Sequence, residues 1–217
     1  MNQTIFEFDE FERLNSRTLF NSGYDFILGC DEAGRGPGAG PLYAACVCFK
    51  NTKNLYEIMP KLNDSKKLSE KTREELFPLI IENSIYSVSR IEVEQIEEIN
   101  ILNASLLGMK TAASEVISKL KNENVLVLID GNKRIRNFAY PQKTIIKGDS
   151  TSASIAAASI LAKVSRDNYM VELDKKFPAY NFKKNKGYLT KEHIEGIKNF
   201  GITEFHRKSF LKNFINV

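Results

Sequence analysis

FILGCDEAGRGPGAGP, residues 26–41, begins as an apolar run and closes it with two adjacent carboxylates, Asp31 and Glu32. It then turns at once through Gly34, Gly36, Gly38 and Gly40. Burying like charges side by side is expensive unless a cation or a proton offsets them. Glycines just beyond them let a backbone approach a ligand where a side chain would block it. The stretch predicts an acidic metal site at the end of a strand, beside a bare-backbone loop that grips a substrate.

The strand, about 24–31, and a second apolar run at Leu42–Phe49 are joined by a link short enough to make them an antiparallel pair. Ser69 ahead of an apolar run marks a helix start, with the end near Asn83. Residues 85–93 alternate in polarity and predict a third, half-exposed strand, whereas 94–121 are helical with a break near Asn100–Asn103. VLVLI at 125–129 is continuously apolar, as in a strand buried on both faces, and ends at Asp130-Gly131. A fifth strand, 143–147, ends at Gly148-Asp149. The next segment carries alanines and serines on every side, which implies a helix packed closely on the sheet. Helices are expected at about 190–199 and after Thr203, and an amphipathic lead-in helix at 4–20. The fold class is therefore α/β, a mixed five-stranded sheet flanked by helices with a C-terminal helical extension. The expected division is a lead-in (1–23), a catalytic domain (24–174) and a basic, aromatic substrate-binding region (175–217).

The chain has 217 residues, 42% of them hydrophobic, enough for one sizeable core. With 31 Lys+Arg against 27 Asp+Glu, the net charge of +4 is compatible with nucleic acid without requiring it. Cys30, Cys46 and Cys48 lie in apolar runs with no framework spacing and no further Cys or His close by, so they are expected to be core residues in a reducing compartment. No apolar run is long enough to span a membrane and the N-terminus is charged, so a cytoplasmic monomer without membrane contact is expected. Lysines interleave with Phe and Tyr through 175–188, a pattern suited to a groove that tracks a nucleic-acid backbone.

Asp31, Glu32, Asp130 and Asp149 share a grammar, each closing an apolar strand before a turn or helix. Taken singly, Asp130-Gly131 reads as a turn and Asp149 as a cap of the long helix. Several strand ends of one sheet closing in acid, however, would repel strongly without a cation. Oxygen-only donors select a hard ion, Mg²⁺ or Mn²⁺. On a regular strand Asp31 and Glu32 face opposite sides, so both can serve only if the backbone bends there. His193 and His206 are expected to be structural or surface residues.

CDEAGRGP (30–37), LIDGN (128–132) and KGDSTSASIAAASILAKVSRD (147–167) resemble, in order, the three signature blocks of ribonuclease HII. NKGYLTKEH (185–193) and HRKSF (206–210) extend the similarity over about 24–210. The resemblance implies a ribonuclease H-like fold and an endonuclease that cleaves the RNA strand of RNA–DNA hybrids and incises 5′ of single ribonucleotides in duplex DNA. It implies two Mn²⁺ or Mg²⁺ ions with substrate bound, on Asp31, Glu32, Asp130 and Asp149, and 3′-hydroxyl and 5′-phosphate products. Gly34, Arg35 and Gly36 match the family loop that contacts the 2′-hydroxyl. Tyr188 matches the tyrosine that packs on the sugar, and Lys66 falls where polar and basic side chains meet substrate phosphate. Gly38 departs from the pattern, since family members more often carry a larger apolar residue there; an altered loop stiffness is expected. Ribonuclease HIII, the nearest rival, has a longer N-terminal domain and a different loop after the paired acids. GRGPGAG matches neither GxGxxG nor GxxxxGK[ST], which argues against a nucleotide-binding module.

Overall fold

The computed structural model describes residues 23–50, 58, 61–121, 124–212 and 214. The expected lead-in helix at 4–20 lies outside the described residues. Strand β1 (Phe26–Ala33) pairs antiparallel with β2 (Leu42–Phe49) and parallel with β4 (Val125–Asp130). β2 pairs antiparallel with β3 (Ser84–Ile91), and β4 parallel with β5 (Gln142–Ile145). The order β3-β2-β1-β4-β5 is the mixed five-stranded sheet expected.

Both faces are covered. Against one lies α3 (Ile101–Leu120), whose Ala104, Met109 and Val116 join Leu28, Cys30, Cys46 and Val127 in one core cluster. Asn100, at φ +65°, breaks this helix from α2 (Val93–Ile99) and caps it with its side chain, which accepts from the Leu102 and Asn103 N–H groups. The other face carries α1 (Glu70–Glu82), capped by Ser69, and α4 (Ala153–Lys176), whose Ala156, Ala157, Ile160 and Leu161 pack on Ala45 and Val47. α4 lies so close that a Cβ on Gly29 of β1 would collide with the Ser154–Ile155 backbone. Small residues on the helix and glycine on the strand are one device for the same approach.

A satellite core joins Met170 and Leu173 of α4 to Ala39, Tyr180, Phe182, Ile197 and Leu211. It docks α5 (Phe182–Asn185), α6 (Lys191–Phe200) and α7 (Lys208–Leu211) against the glycine loop. Tyr180 and Phe182 are buried, with their rings stacked at 5.4 Å. Lys175 pairs with Glu172 and Lys184 with Glu192. Within the basic, aromatic tract Tyr180 and Phe182 serve the core, and of the tract's tyrosines only Tyr188 is strongly exposed. The cysteines are buried and free, as expected. No described helix is long and apolar enough to cross a membrane.

Candidate active site

β1 keeps its ladder with β2 through Asp31↔Ala45, Glu32↔Ala44 and Ala33↔Tyr43, but its pairing with β4 stops at Cys30↔Ile129. The acids thus stand where the strand has lost one neighbour, and both line a single cavity together with Asp130 and Lys66. On the neighbouring strand Asp130 is the last residue, and its Oδ1 accepts from the Gly148 N–H at 2.8 Å. That bond draws the turn after β5 to the end of β4.

Asp149 does not close a strand. Lys147 takes the left-handed conformation (φ +57°), and Asp149 sits on a 3₁₀ turn, Gly148–Ser150. Nor does it cap the long helix, whose N-cap is Ser152. It still belongs to the group, because its charge acts on both Asp31 and Asp130.

All four acids are pushed above the ordinary carboxylate range, and burial is the first cause in each. Asp31 is raised well above that range, with the neighbouring charges of Glu32 and Asp130 adding to burial. Glu32 is raised despite the Arg35 guanidinium 3.3 Å away. In Asp130 burial outweighs the N–H groups of Gly148 and Asp149. Asp149 reaches about 6, with Asp130 and Asp64 adding to burial. Lys66 answers from the other side: burial pulls it down, yet Asp31, Asp64, Asp149 and Glu32 together leave it raised. Four desolvated like charges short of a counter-charge, with oxygen donors only, fit a hard divalent cation. Among the described residues no group of three His, Cys, Asp or Glu is already gathered to hold a metal ion. Glu32 leans on Arg35 and Asp130 spends one oxygen on Gly148.

Gly34 (φ +102°), Arg35 and Gly36 line the same cavity, and the Tyr188 ring, 51% exposed, lies against Gly36. A Cβ on Gly36 would stand 3.3 Å from Tyr188 Cε1. The space beside Gly38, where a larger residue was expected from the resemblance, is filled from across the loop by the Leu189 side chain.

Three residues of the site escaped the sequence. Asp64, inside NDSKKLS, adds its negative charge to the field on Asp149. Arg166 on α4 is buried and donates to the carbonyls of Pro41, Lys186 and Ala39, at 3.0, 2.9 and 3.0 Å. Arg207, fully buried, donates to the carbonyls of Gly40 and Arg35. The available signal was a lone arginine in an otherwise small-residue helix, and another just after a histidine in HRKSF.

A family model described as Ribonuclease HII matches residues 28–213. A ribonuclease HII of Caldicellulosiruptor bescii is 53% identical over 200 residues, 92% of this chain and 93% of that relative. Among solved structures, a chain of the PCNA:RNase HII complex from Archaeoglobus fulgidus aligns with a TM-score of 0.67 at 28% identity, over 84% of this chain and 94% of that one. Bst-RNase HIII in complex with Mn²⁺ aligns with a TM-score of 0.68 at 17% identity, over 85% of this chain and 66% of that one, a likeness of fold.

Proposed function

The chain belongs to the ribonuclease HII family and is thereby a ribonuclease H endonuclease for RNA–DNA hybrids; we propose that it also incises 5′ of single ribonucleotides embedded in duplex DNA. Asp31, Glu32, Asp130 and Asp149 are its catalytic, metal-holding carboxylates. Mn²⁺ or Mg²⁺, two ions once substrate is bound, supplies the charge neutralisation and water activation that phosphodiester hydrolysis requires; the Mn²⁺ held by Bst-RNase HIII supports that ion class.

The chain's own residues select the scissile phosphate. Backbone groups of Gly34–Gly36 reach the 2′-hydroxyl, the one group that separates RNA from DNA. Tyr188 lies against the sugar at the RNA–DNA junction, while Lys66 meets phosphate oxygens. Cleavage leaves a 3′-hydroxyl and a 5′-phosphate, with no covalent intermediate and no Ser, Cys or His nucleophile. The division into lead-in (1–23), catalytic domain (24–174) and substrate-binding region (175–217) is proposed on the same footing, as is a cytoplasmic monomer serving DNA replication and repair.

One observation carries this reading: Asp31, Glu32 and Asp130 line one cavity with a glycine loop and an exposed tyrosine, and Asp149 is coupled electrostatically to Asp31 and Asp130. The test is incubation with a duplex containing one ribonucleotide, with and without Mn²⁺. Cleavage only with metal, and its loss in Asp130→Asn with hybrid binding retained, is the expected result. Near-normal turnover by Asp130→Asn overturns the assignment of the carboxylates.

A further inference from the structure

His193 and His206 are the chain's two histidines, and both are buried, at 0% and 2% exposure. His193 stands on α6 and His206 just before α7, with their Nε2 atoms 3.1 Å apart. Nδ1 of His206 lies 2.9 Å from the Thr203 backbone nitrogen, an N–H that can only donate. A neutral His206 therefore accepts on Nδ1 and carries its proton on Nε2. It donates that proton toward Nε2 of His193, which must accept. His193 then carries its own proton on Nδ1, which lies 2.9 Å from the carbonyl oxygen of Tyr188.

One neighbour thus fixes the tautomer of both rings, and the chain of donors has a single direction: Thr203 N–H, His206, His193, Tyr188 C=O. A second proton on either ring would set N–H against N–H across the 3.1 Å gap. Burial, reinforced on His206 by the proximity of His193, holds both rings below the ordinary histidine range, His206 at about 4. The rings of Tyr180 and Phe182 enclose the pair, with Phe182 5.2 Å from His193.

We propose that this two-histidine relay is a positioning device for Tyr188, fixing its carbonyl from beneath so that its ring stays against Gly36. The proposal rests on the reading of Tyr188 as a substrate contact. Tyr188 has two further backbone ties, its N–H to Asn185 O at 2.9 Å and its carbonyl to Thr190 N–H at 2.8 Å. Breaking the relay therefore loosens the ring without releasing the segment. The histidines act through Tyr188 and touch no reacting atom.

Two measurements test it. Nitrogen-15 NMR of the imidazoles in the wild-type protein near pH 7 reads the tautomers directly: Nδ1–H on His193 and Nε2–H on His206 are expected, and the opposite tautomer on either ring overturns the relay. Kinetics on the single-ribonucleotide duplex with Mn²⁺ then compare His193→Leu, His193→Asn, Tyr188→Ala and the double variant His193→Leu/Tyr188→Ala. His193→Leu is expected to lower kcat about 5- to 20-fold with KM little changed, because misplacement of a positioning group acts on the reacting geometry. His193→Asn, whose amide N–H can replace the Nδ1 donor, recovers most of that loss. In the Tyr188→Ala background His193→Leu adds nothing further. If Tyr188→Ala is itself as fast as wild type, the role given to Tyr188 fails and the proposal with it. An impaired Tyr188→Ala beside an unimpaired, or fully additive, His193→Leu overturns the relay alone.

Discussion

Asp149→Asn is expected to inactivate the enzyme and, in EDTA, to stabilise it. An acid held at about 6 against its ordinary 3.8 opposes folding by roughly 3 kcal/mol once ionised. The sign comes from proton binding. Because the folded protein holds this proton more tightly than the unfolded chain, the associated stability is full below pH 3.8 and lost as pH rises through about 6. Asparagine removes the charge and keeps the shape. Some relaxation around the buried site reduces the full figure, leaving a gain on the order of 1–3 kcal/mol at pH 8, or roughly 3–10 °C in Tm for a domain of this size. Denaturant titration of both proteins in EDTA at pH 8 and pH 4 measures it. The gain should be present at pH 8 and largely gone at pH 4. Adding Mn²⁺ should narrow or reverse the difference, since a ligand that binds the folded state stabilises whichever protein holds it better. A variant no more stable than wild type in EDTA at pH 8 would refute the claim that these acids are short of a counter-charge.

Gly34→Ala places a side chain at φ +102° and against the Arg166 guanidinium, so a loss of roughly 1–3 kcal/mol and a sharp fall in hybrid cleavage are expected, read by thermal melting and by turnover. Gly38→Leu should collide with Leu189, whose Cγ lies 2.7 Å from the added Cβ position, and destabilise by about 1–3 kcal/mol. Adding Leu189→Ala should recover most of that loss; strict additivity in the double variant would exclude the exchange of volume between the two positions. His206, held at about 4 against 6.5, contributes stability that is present above pH 6.5 and lost as pH falls toward 4, because the unfolded chain takes up the proton first. The stability difference between wild type and His206→Gln should therefore shrink by roughly 1–3 kcal/mol between pH 7 and pH 4, by denaturant titration at each pH.

The sheet was legible because the period of apolar residues is a local property: Leu42–Phe49 and Val125–Asp130 declare themselves within their own length. Asn100 marked its helix break for the same reason, since a short polar side chain tolerates positive φ and caps the helix after it. Asp149 was legible as a site acid but not as a turn residue, because nothing about Lys147 announces the left-handed conformation that folds the chain back. Leu189 opposite Gly38 and the histidine relay were hidden altogether: each is a contact between different segments of the chain, which no periodicity encodes.

The buried arginines show how the legible and the hidden parts combine. Glycines at 34 and 36 advertise a backbone that can come close to a ligand, but not which of its groups faces outward. Arg207 settles that for one peptide by donating to the Arg35 carbonyl. In a trans peptide the carbonyl and the next N–H point in opposite directions, so a carbonyl turned inward to Arg207 turns the Gly36 N–H the other way, away from the buried guanidinium. Arg166 does the same for Ala39 and Pro41 further along. A loop that must present N–H groups to an oxygen-rich ligand needs buried cations behind its carbonyls, and here they come from α4 and from the approach to α7. The glycines give the loop its freedom of approach, and the arginines give it a polarity.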